Sequence, residues 1–245
     1  MGAMAGRPKR AQSSARRGNP AFTALGVIFL ILGVGALGYV GWEYFGTNIT
    51  SDRAMDEKSE GLRAQWESEP APAPAEPVPG DDAPEGEAPA AGGDEARIPG
   101  DAVALLRIPA LGDDYEVPIL SGTDLDTLSQ GVGWYDSAVA PGEIGNFSLA
   151  GHRITNGEPF ADILELQPGD EVIVETRDQI HTYVMDTSPA DLTVTEDDTW
   201  VLDPVPGEPD ATPTQPVITL TTCQDLFHSV DRSIGFGHLA STVDK

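Results

Sequence analysis

The spacing of apolar positions divides the 245-residue chain into three stretches of different character. Residues 21–42, AFTALGVIFLILGVGALGYVGW, carry no charge and are apolar on every side of a helix. At about 1.5 Å per residue that helix is roughly 33 Å long, enough to cross a bilayer. Pro20 falls in its first turn, where a missing N–H is harmless, and Tyr39, Trp42, Tyr44 and Phe45 stand where interfacial aromatics gather. Residues 47–69 are polar, and residues 70–93 are almost wholly Pro, Ala, Gly and acid. Such a composition cannot bury a core, and its prolines and like charges favour extended chain, so residues 51–95 are expected to form a semi-rigid spacer.

Beyond residue 97 the pattern changes to short strand-like runs at 103–108, 117–120, 147–150, 171–176, 181–186, 217–222 and 233–240. Residues 171–175 (E-V-I-V-E) and 233–237 (S-I-G-F-G) alternate with the period of a half-buried strand. Only short helices fit between the runs. One is expected over 124–130, with Asp124 as N-cap and Leu125 and Leu128 three apart, and one over 158–166, with Phe160, Ile163 and Leu164 on one face. The domain at 97–245 therefore reads as mainly β, and a closed barrel of seven to eight short strands is the natural way to hide their edges.

Charge fixes the expected orientation. Residues 1–42 hold five basic residues and no acid, whereas residues 43–100 carry a net −10 and residues 101–245 a net −21. The total of −26 argues against a nucleic-acid partner. The basic leader keeps the N-terminus in the cytoplasm, giving a tail at 1–20, a transmembrane helix at 21–42, an acidic extracellular stalk at 43–96 and an extracellular domain at 97–245. A cleaved secretory signal is the alternative, but the apolar run exceeds the usual core of about 7–15 residues and no clear A-x-A site follows it.

Cys223 is the single cysteine, which excludes an intramolecular disulfide and a Cys-rich zinc site. It ends a strand-like run, V-I-T-L-T-T-C, rather than sitting mid-strand, although a packed, inert thiol stays open on this ground alone. Of His152, His181, His228 and His238, only His152 closes another strand, N-F-S-L-A-G-H, where Gly151 leaves the backbone room to turn. Adjacent strand ends would make a Cys–His pair. Arg232 opens the last strand nine residues after Cys223, so a hairpin would return its guanidinium to the thiol. A surface ion pair with Asp231 or Asp225 is the alternative for that arginine. No cofactor or metal is implied: residues 196–198 (E-D-D), with Asp191 and Asp203 nearby, lack the ligand spacing of a calcium loop and read as solvated acid.

These residues resemble a known family. Thr219-Leu220-Thr221-Thr222-Cys223 is a T-L-x-T-C signature, the segment 141–153 ending in Gly151-His152-Arg153 resembles the stretch around the catalytic histidine of sortases, and Arg232 follows the cysteine at a family-like distance. Sortases are membrane-anchored cysteine transpeptidases of Gram-positive surfaces, and the resemblance covers about residues 102–240. Residues 151–160 and 223–228 are most similar to class E members, housekeeping enzymes that take LAXTG-like rather than LPXTG signals. Residues 97–103 lack an Asp-Pro-aromatic lid and no second membrane segment precedes Lys245, which fits that class.

The resemblance implies a sortase-type barrel and three catalytic residues. Cys223 would attack the Thr–Gly carbonyl of a sorting signal on a secreted protein, Arg232 would steady the oxyanion, and His152 would serve as acid and then base. The thioacyl enzyme would pass its cargo to a peptidoglycan precursor amine. Ala150, Thr221 and Thr222 match positions lining the peptide groove in relatives. Two rivals remain: a thiol hydrolase with water as acceptor, and a stalked, non-enzymatic wall-binding module with a structural Cys223.

Overall fold

The computed structural model describes residues 20–42, 46–68, 98–195, 197–223 and 230–245. The expected tail at 1–20 (but for Pro20) and the Pro-rich part of the stalk lie outside the described residues, as do Glu196 and the stretch 224–229 with His228. The chain forms two units, divided after Trp42.

The first unit holds α1, Pro20–Gly41, a 22-residue helix without a charge. Its residues 21–41 bury nothing against protein, and it is the one helix among the described residues long and apolar enough to cross a membrane.

The second unit is built on nine strands: β1 Ala102–Arg107, β2 Glu116–Ser121, β3 Val132–Trp134, β4 Gly145–Ala150, β5 Glu171–Glu175, β6 Gln179–Met185, β7 Thr193–Thr195, β8 Pro216–Cys223 and β9 Asp231–Asp244. Eight close into a barrel in the order β6-β5-β1-β2-β3-β4-β8-β9, with β9 pairing back onto β6. Closure joins the two ends of the eight-stranded sheet, as the pattern of short strands suggested, and β7 adds a short outer edge on β9. The long β9 makes this possible: its first half pairs with β8, its second half with β6, and β7 takes the flank of residues 231–233. Two pairings are parallel, β2 with β3 and β4 with β8; the others are antiparallel.

Alternation along the strands decides which side chains fill the barrel. Leu106, Ile119, Phe147, Leu149, Val172, Val174, Tyr183, Ile218 and Leu220 form one buried cluster. Phe147 lies at its centre, edge-on to Trp134 and stacked with Tyr183. A smaller cluster of Val194, Val201 and Ile234, with Leu192, Trp200, Leu202 and Phe236 against it, covers the outer face of β9.

Three expectations need correction. The expected spacer does not begin at residue 51, because Thr47–Ser68 is a 22-residue helix, α2, packed on the barrel. No proline interrupts it, and Ser51, Met55, Ser59 and Leu62 form a buried stripe at helical spacing. Two of those four are serines, so the stripe is faint by hydropathy. Met55 and Leu62 each contribute about 1.5–3 kcal/mol of burial. Polar contacts complete the seam: Lys58 Nζ donates to Gly100 O at 2.6 Å, Arg63 pairs with Glu116 at 2.5 Å, and Lys245 lies over the Trp66 ring.

The helix expected over 158–166 is reduced to a 3-10 turn at Ile163–Glu165, because Glu158 takes a φ of 48° and breaks any helical start. Phe160 and Ile163 are nonetheless buried as the apolar spacing required. The helix near 124–130 shortens to α3, Leu125–Leu128, capped by Asp124, whose Oδ1 accepts from the amides of Asp126 and Thr127 at 3.0 and 3.1 Å. Leu125 is exposed rather than packed.

Candidate active site

Strand register brings the sequence-selected residues together. Parallel pairing aligns Ala150 of β4 with Thr221 of β8. Two residues further along each strand stand His152 and Cys223. The pairing continues past the end of β4, since Gly151 N donates to Thr221 O at 3.1 Å and Thr222 Oγ1 donates to Gly151 O at 2.8 Å. On the other side of β8, Cys223 is the direct antiparallel partner of Arg232. Because side chains alternate along a strand, Thr219, Thr221 and Cys223 share the face opposite the core residues Ile218 and Leu220. Arg232 and Ile234 belong to that same outer face through the Cys223–Arg232 and Thr221–Ile234 pairs. Direct cross-strand neighbours have Cβ atoms about 4.5–5.5 Å apart, so Cys223 and Arg232 are first neighbours along the sheet, and Arg232 Nη1 donates to Asp231 O at 3.2 Å.

Gly151 is needed for space rather than for conformational freedom. A Cβ there would lie 2.6 Å from the Phe160 ring, and Phe160 N in turn donates to His152 O at 2.9 Å. Phe160, fully buried, thus packs beneath the strand end that carries His152.

The histidines differ in what they do. His181 Nδ1 is bonded to Thr242 Oγ1 at 3.1 Å, and His238 Nδ1 to Asp186 Oδ1 at 2.8 Å. His152 Nε2 is buried and, among the described residues, has no hydrogen-bond partner. Burial also holds the His152 pKa below the ordinary imidazole value. A half-buried ring with an uncommitted nitrogen is suited to moving protons rather than to bracing the fold.

A cavity of about 250 Å³ opens on the outer face of β8 and β9, lined by Thr221, Arg232 and Ile234 together with Tyr135, Val194 and Val201 among others. Its wall is mixed: aliphatic side chains, the Tyr135 hydroxyl, which lies 3.2 Å from Thr221 Oγ1, Thr195, Thr199, Asp198 and the arginine. Of the three residues expected to line a peptide groove, Thr221 lines this cavity. Ala150 is buried outside the lining, and Thr222 is buried with its hydroxyl committed to Gly151 O. Tyr135, Val194 and Val201 escaped the sequence reading because they come from three separate segments with no shared spacing.

In the acidic loop one carboxylate serves the turn itself. Asp198 Oδ2 accepts from Thr195 N and Thr195 Oγ1 at 2.8 and 2.7 Å. Among the described residues no group of three or more His, Cys, Asp or Glu side chains is arranged to hold a metal ion.

The loop after His152 is held in an unusual conformation. Asn156, Gly157 and Glu158 all have positive φ, at 57°, 76° and 48°. For the two residues with side chains this costs on the order of 1 kcal/mol each, which the surroundings must offset.

A cysteine paired with an arginine across two strands, with a histidine just past the end of the neighbouring strand, offers the kinds of group that thiol acyl transfer uses. The family model described as Sortase domain matches residues 106–240, more than half of the chain, and the chain belongs to the sortase family of cysteine transpeptidases. It is similar to Sortase SrtE1 of Streptomyces coelicolor, with 34% identity over 94% of this chain and 61% of that protein's length. The chain therefore spans less than two thirds of that relative. Among solved structures it resembles sortase E from Streptomyces avermitilis, 37% identical over 60% of this chain and 93% of that one, with a TM-score of 0.54. Sortase E1 from Streptomyces coelicolor, solved with a tripeptide in the active site, is also 37% identical, over 61% of this chain and 94% of that one, with a TM-score of 0.52. These relatives support its likeness to class E.

Proposed function

We propose that the protein is a membrane-anchored, class E-like sortase that joins secreted proteins bearing LAXTG-like or LPXTG-like signals to a peptidoglycan precursor. The observation that supports this reading is the register of β4, β8 and β9, which pairs Cys223 with Arg232 and runs Thr221 alongside the strand end that leads to His152, with Thr221 and Arg232 lining one cavity.

In this mechanism Cys223 thiolate attacks the carbonyl carbon of the Thr–Gly peptide bond. Arg232 donates to the oxyanion of the tetrahedral intermediate, where a planar, permanently charged fork is most useful. Collapse breaks the C–N bond as His152 imidazolium gives its proton to the departing glycine amine, leaving a thioester on Cys223. The precursor amine then attacks the thioester, neutral His152 takes its proton, and a new amide forms as the thiolate leaves. The aliphatic part of the cavity near Val194, Val201 and Ile234 suits an apolar side chain of the signal, and the tripeptide in the relative's active site supports a peptide ligand. Helix α1 anchors the enzyme, with the basic tail in the cytoplasm and the barrel outside.

The test is to incubate the full chain with an LAXTG-containing peptide and an amine acceptor, and to look by mass spectrometry for a thioester on Cys223 and for the ligated product. Absence of both, with Cys223 still readily alkylated, would overturn the assignment.

A further inference from the structure

Helix α2 reaches the loop that follows His152, and Asn48 makes two hydrogen bonds to it. Asn48, in the first turn of α2, accepts from Gly157 N at 3.1 Å and donates through Nδ2 to Glu158 Oε1 at 2.6 Å. Gly157 and Glu158 belong to the left-handed run at 156–158, a conformation that persists only where neighbours impose it. The contact is close as well as polar. A Cβ on Gly157 would overlap the Met55 methyl and lie 3.0 Å from Asp52 Oδ1 and 3.2 Å from Ser51 Cβ, all on α2. The far end of the loop returns to the barrel through the bond from Phe160 N to His152 O and the Phe160 ring under Gly151. The loop is therefore fixed at its two ends by the strand that presents His152, and at its middle by α2.

We propose that α2 is a strap that sets the geometry of the His152 loop, with Asn48 as its positioning residue. Asn48 touches neither the cavity nor the thiol, so it acts through the loop. Its amide is suited to both partners at once, since its oxygen serves the Gly157 amide and its nitrogen serves the Glu158 carboxylate. The proposal rests on reading His152 as the acid and base of the transfer reaction.

That dual role supplies the test. Asn48→Asp keeps the acceptor for Gly157 but sets two carboxylates against each other, whereas Asn48→Asp with Glu158→Gln restores a donor and an acceptor with their places exchanged. The full chain in lipid nanodiscs is assayed for cleavage of an LAXTG peptide, for Cys223 alkylation by iodoacetamide, and for amide exchange over residues 153–160. Asn48→Asp is expected to speed exchange in the loop at least about tenfold and to lower kcat by about tenfold, with KM and the alkylation rate within about twofold. The double variant should recover both losses to within about threefold.

Unchanged loop exchange in Asn48→Asp, or exchange that accelerates while kcat stays at the wild-type level, would overturn the strap. If Asn48→Asp does not fold, Asn48→Ala takes its place, with slower kcat and faster loop exchange supporting the proposal and wild-type values of either overturning it. A wild-type protein that cleaves no sorting peptide would overturn the enzymatic reading and with it the positioning role, whatever the exchange experiment gives for the contact itself.

Discussion

Cys223 and Arg232 face each other as direct partners across the β8–β9 pairing, at the end of β8 where the chain leaves the barrel. A shifted register would not keep that pairing, because one residue of slip turns the Arg232 side chain to the opposite face. The spacing of nine residues that suggested a hairpin is thus realised as a register.

Arg232→Lys is expected to lower kcat by roughly 10²–10³-fold although the charge is kept, since a point ammonium on a flexible stem cannot reproduce the guanidinium fork at the oxyanion. Cys223→Ala should abolish cleavage and transfer alike. Steady-state cleavage of a sorting peptide measures both, and near-normal turnover in Arg232→Lys would remove the arginine from the oxyanion role.

Gly151→Ala should destabilise the domain by about 1–3 kcal/mol through overpacking and also slow turnover, because the added methyl lies 2.6 Å from the Phe160 ring beneath His152. Shrinking the neighbour, in Gly151→Ala with Phe160→Leu, should regain part of both losses. Urea denaturation and kcat together check this. A single variant as stable and active as the parent would mean that the strand end has slack.

What the sequence made legible follows the strength of each local signal. Cys223, His152 and Arg232 could be picked out because each stands at a strand end in a domain almost bare of cations, and alternation in 171–175 matched the burial of Val172 and Val174 in β5, whereas both faces of β9 are covered over 233–237. Strands β3 and β7 were missed because three residues each are too short to show a period. Helix α2 was missed for a different reason. Half of its buried stripe is serine, and it is held by Lys58, Arg63 and Asn48 contacts to distant residues, which no local pattern encodes. The cavity wall likewise depends on the fold bringing Tyr135, Val194 and Thr221 together.

Glu175 should make the barrel sensitive to acid. It is a nearly buried carboxylate; burial alone would raise its pKa, but the bond from Lys245 and the charges of Lys245, Arg63 and Arg107 outweigh that and hold it below the ordinary value. A carboxylate with a depressed folded pKa adds stability that is present above its unfolded pKa of about 4.3 and is lost as pH falls through the folded one. Glu175→Gln is expected to cost roughly 1–2 kcal/mol at pH 7, less than a fully buried pair because its cations remain partly exposed, and the cost should shrink toward pH 3. Urea midpoints for both proteins between pH 7 and pH 3 test this; a constant difference would show that the ionised form is not what matters.

Substrate choice should follow the relatives' class: peptides carrying LAXTG are expected to be cleaved with higher kcat/KM than peptides carrying LPXTG. The comparison under identical conditions decides it, and a clear preference for LPXTG would move the protein away from class E specificity while leaving the chemistry of Cys223 untouched.

His152 should titrate below the ordinary imidazole range, because the ring is half-buried and burial penalises its charged form. The sign for stability is opposite to that of Glu175 in origin but similar in direction: the unfolded chain takes up this proton first, so stability falls as pH drops from about 6.5 through the folded pKa. The sign for catalysis is different. Protonating the leaving amine needs imidazolium, which is then a minority form at neutral pH and grows as pH falls. Thioester formation divided by the thiolate fraction should therefore rise on going from pH 8 to pH 6, while attack by the acceptor amine, which needs neutral His152, should not. Burst-phase cleavage at each pH, normalised by the rate of Cys223 alkylation, separates the two steps, and an NMR titration of His152 in Cys223→Ala reads the ring without the thiolate beside it. A ring pKa at or above 6.5 would overturn the lowering by burial, and a normalised rate that is flat from pH 8 to pH 6 would show that the imidazole is not the proton donor to the amine.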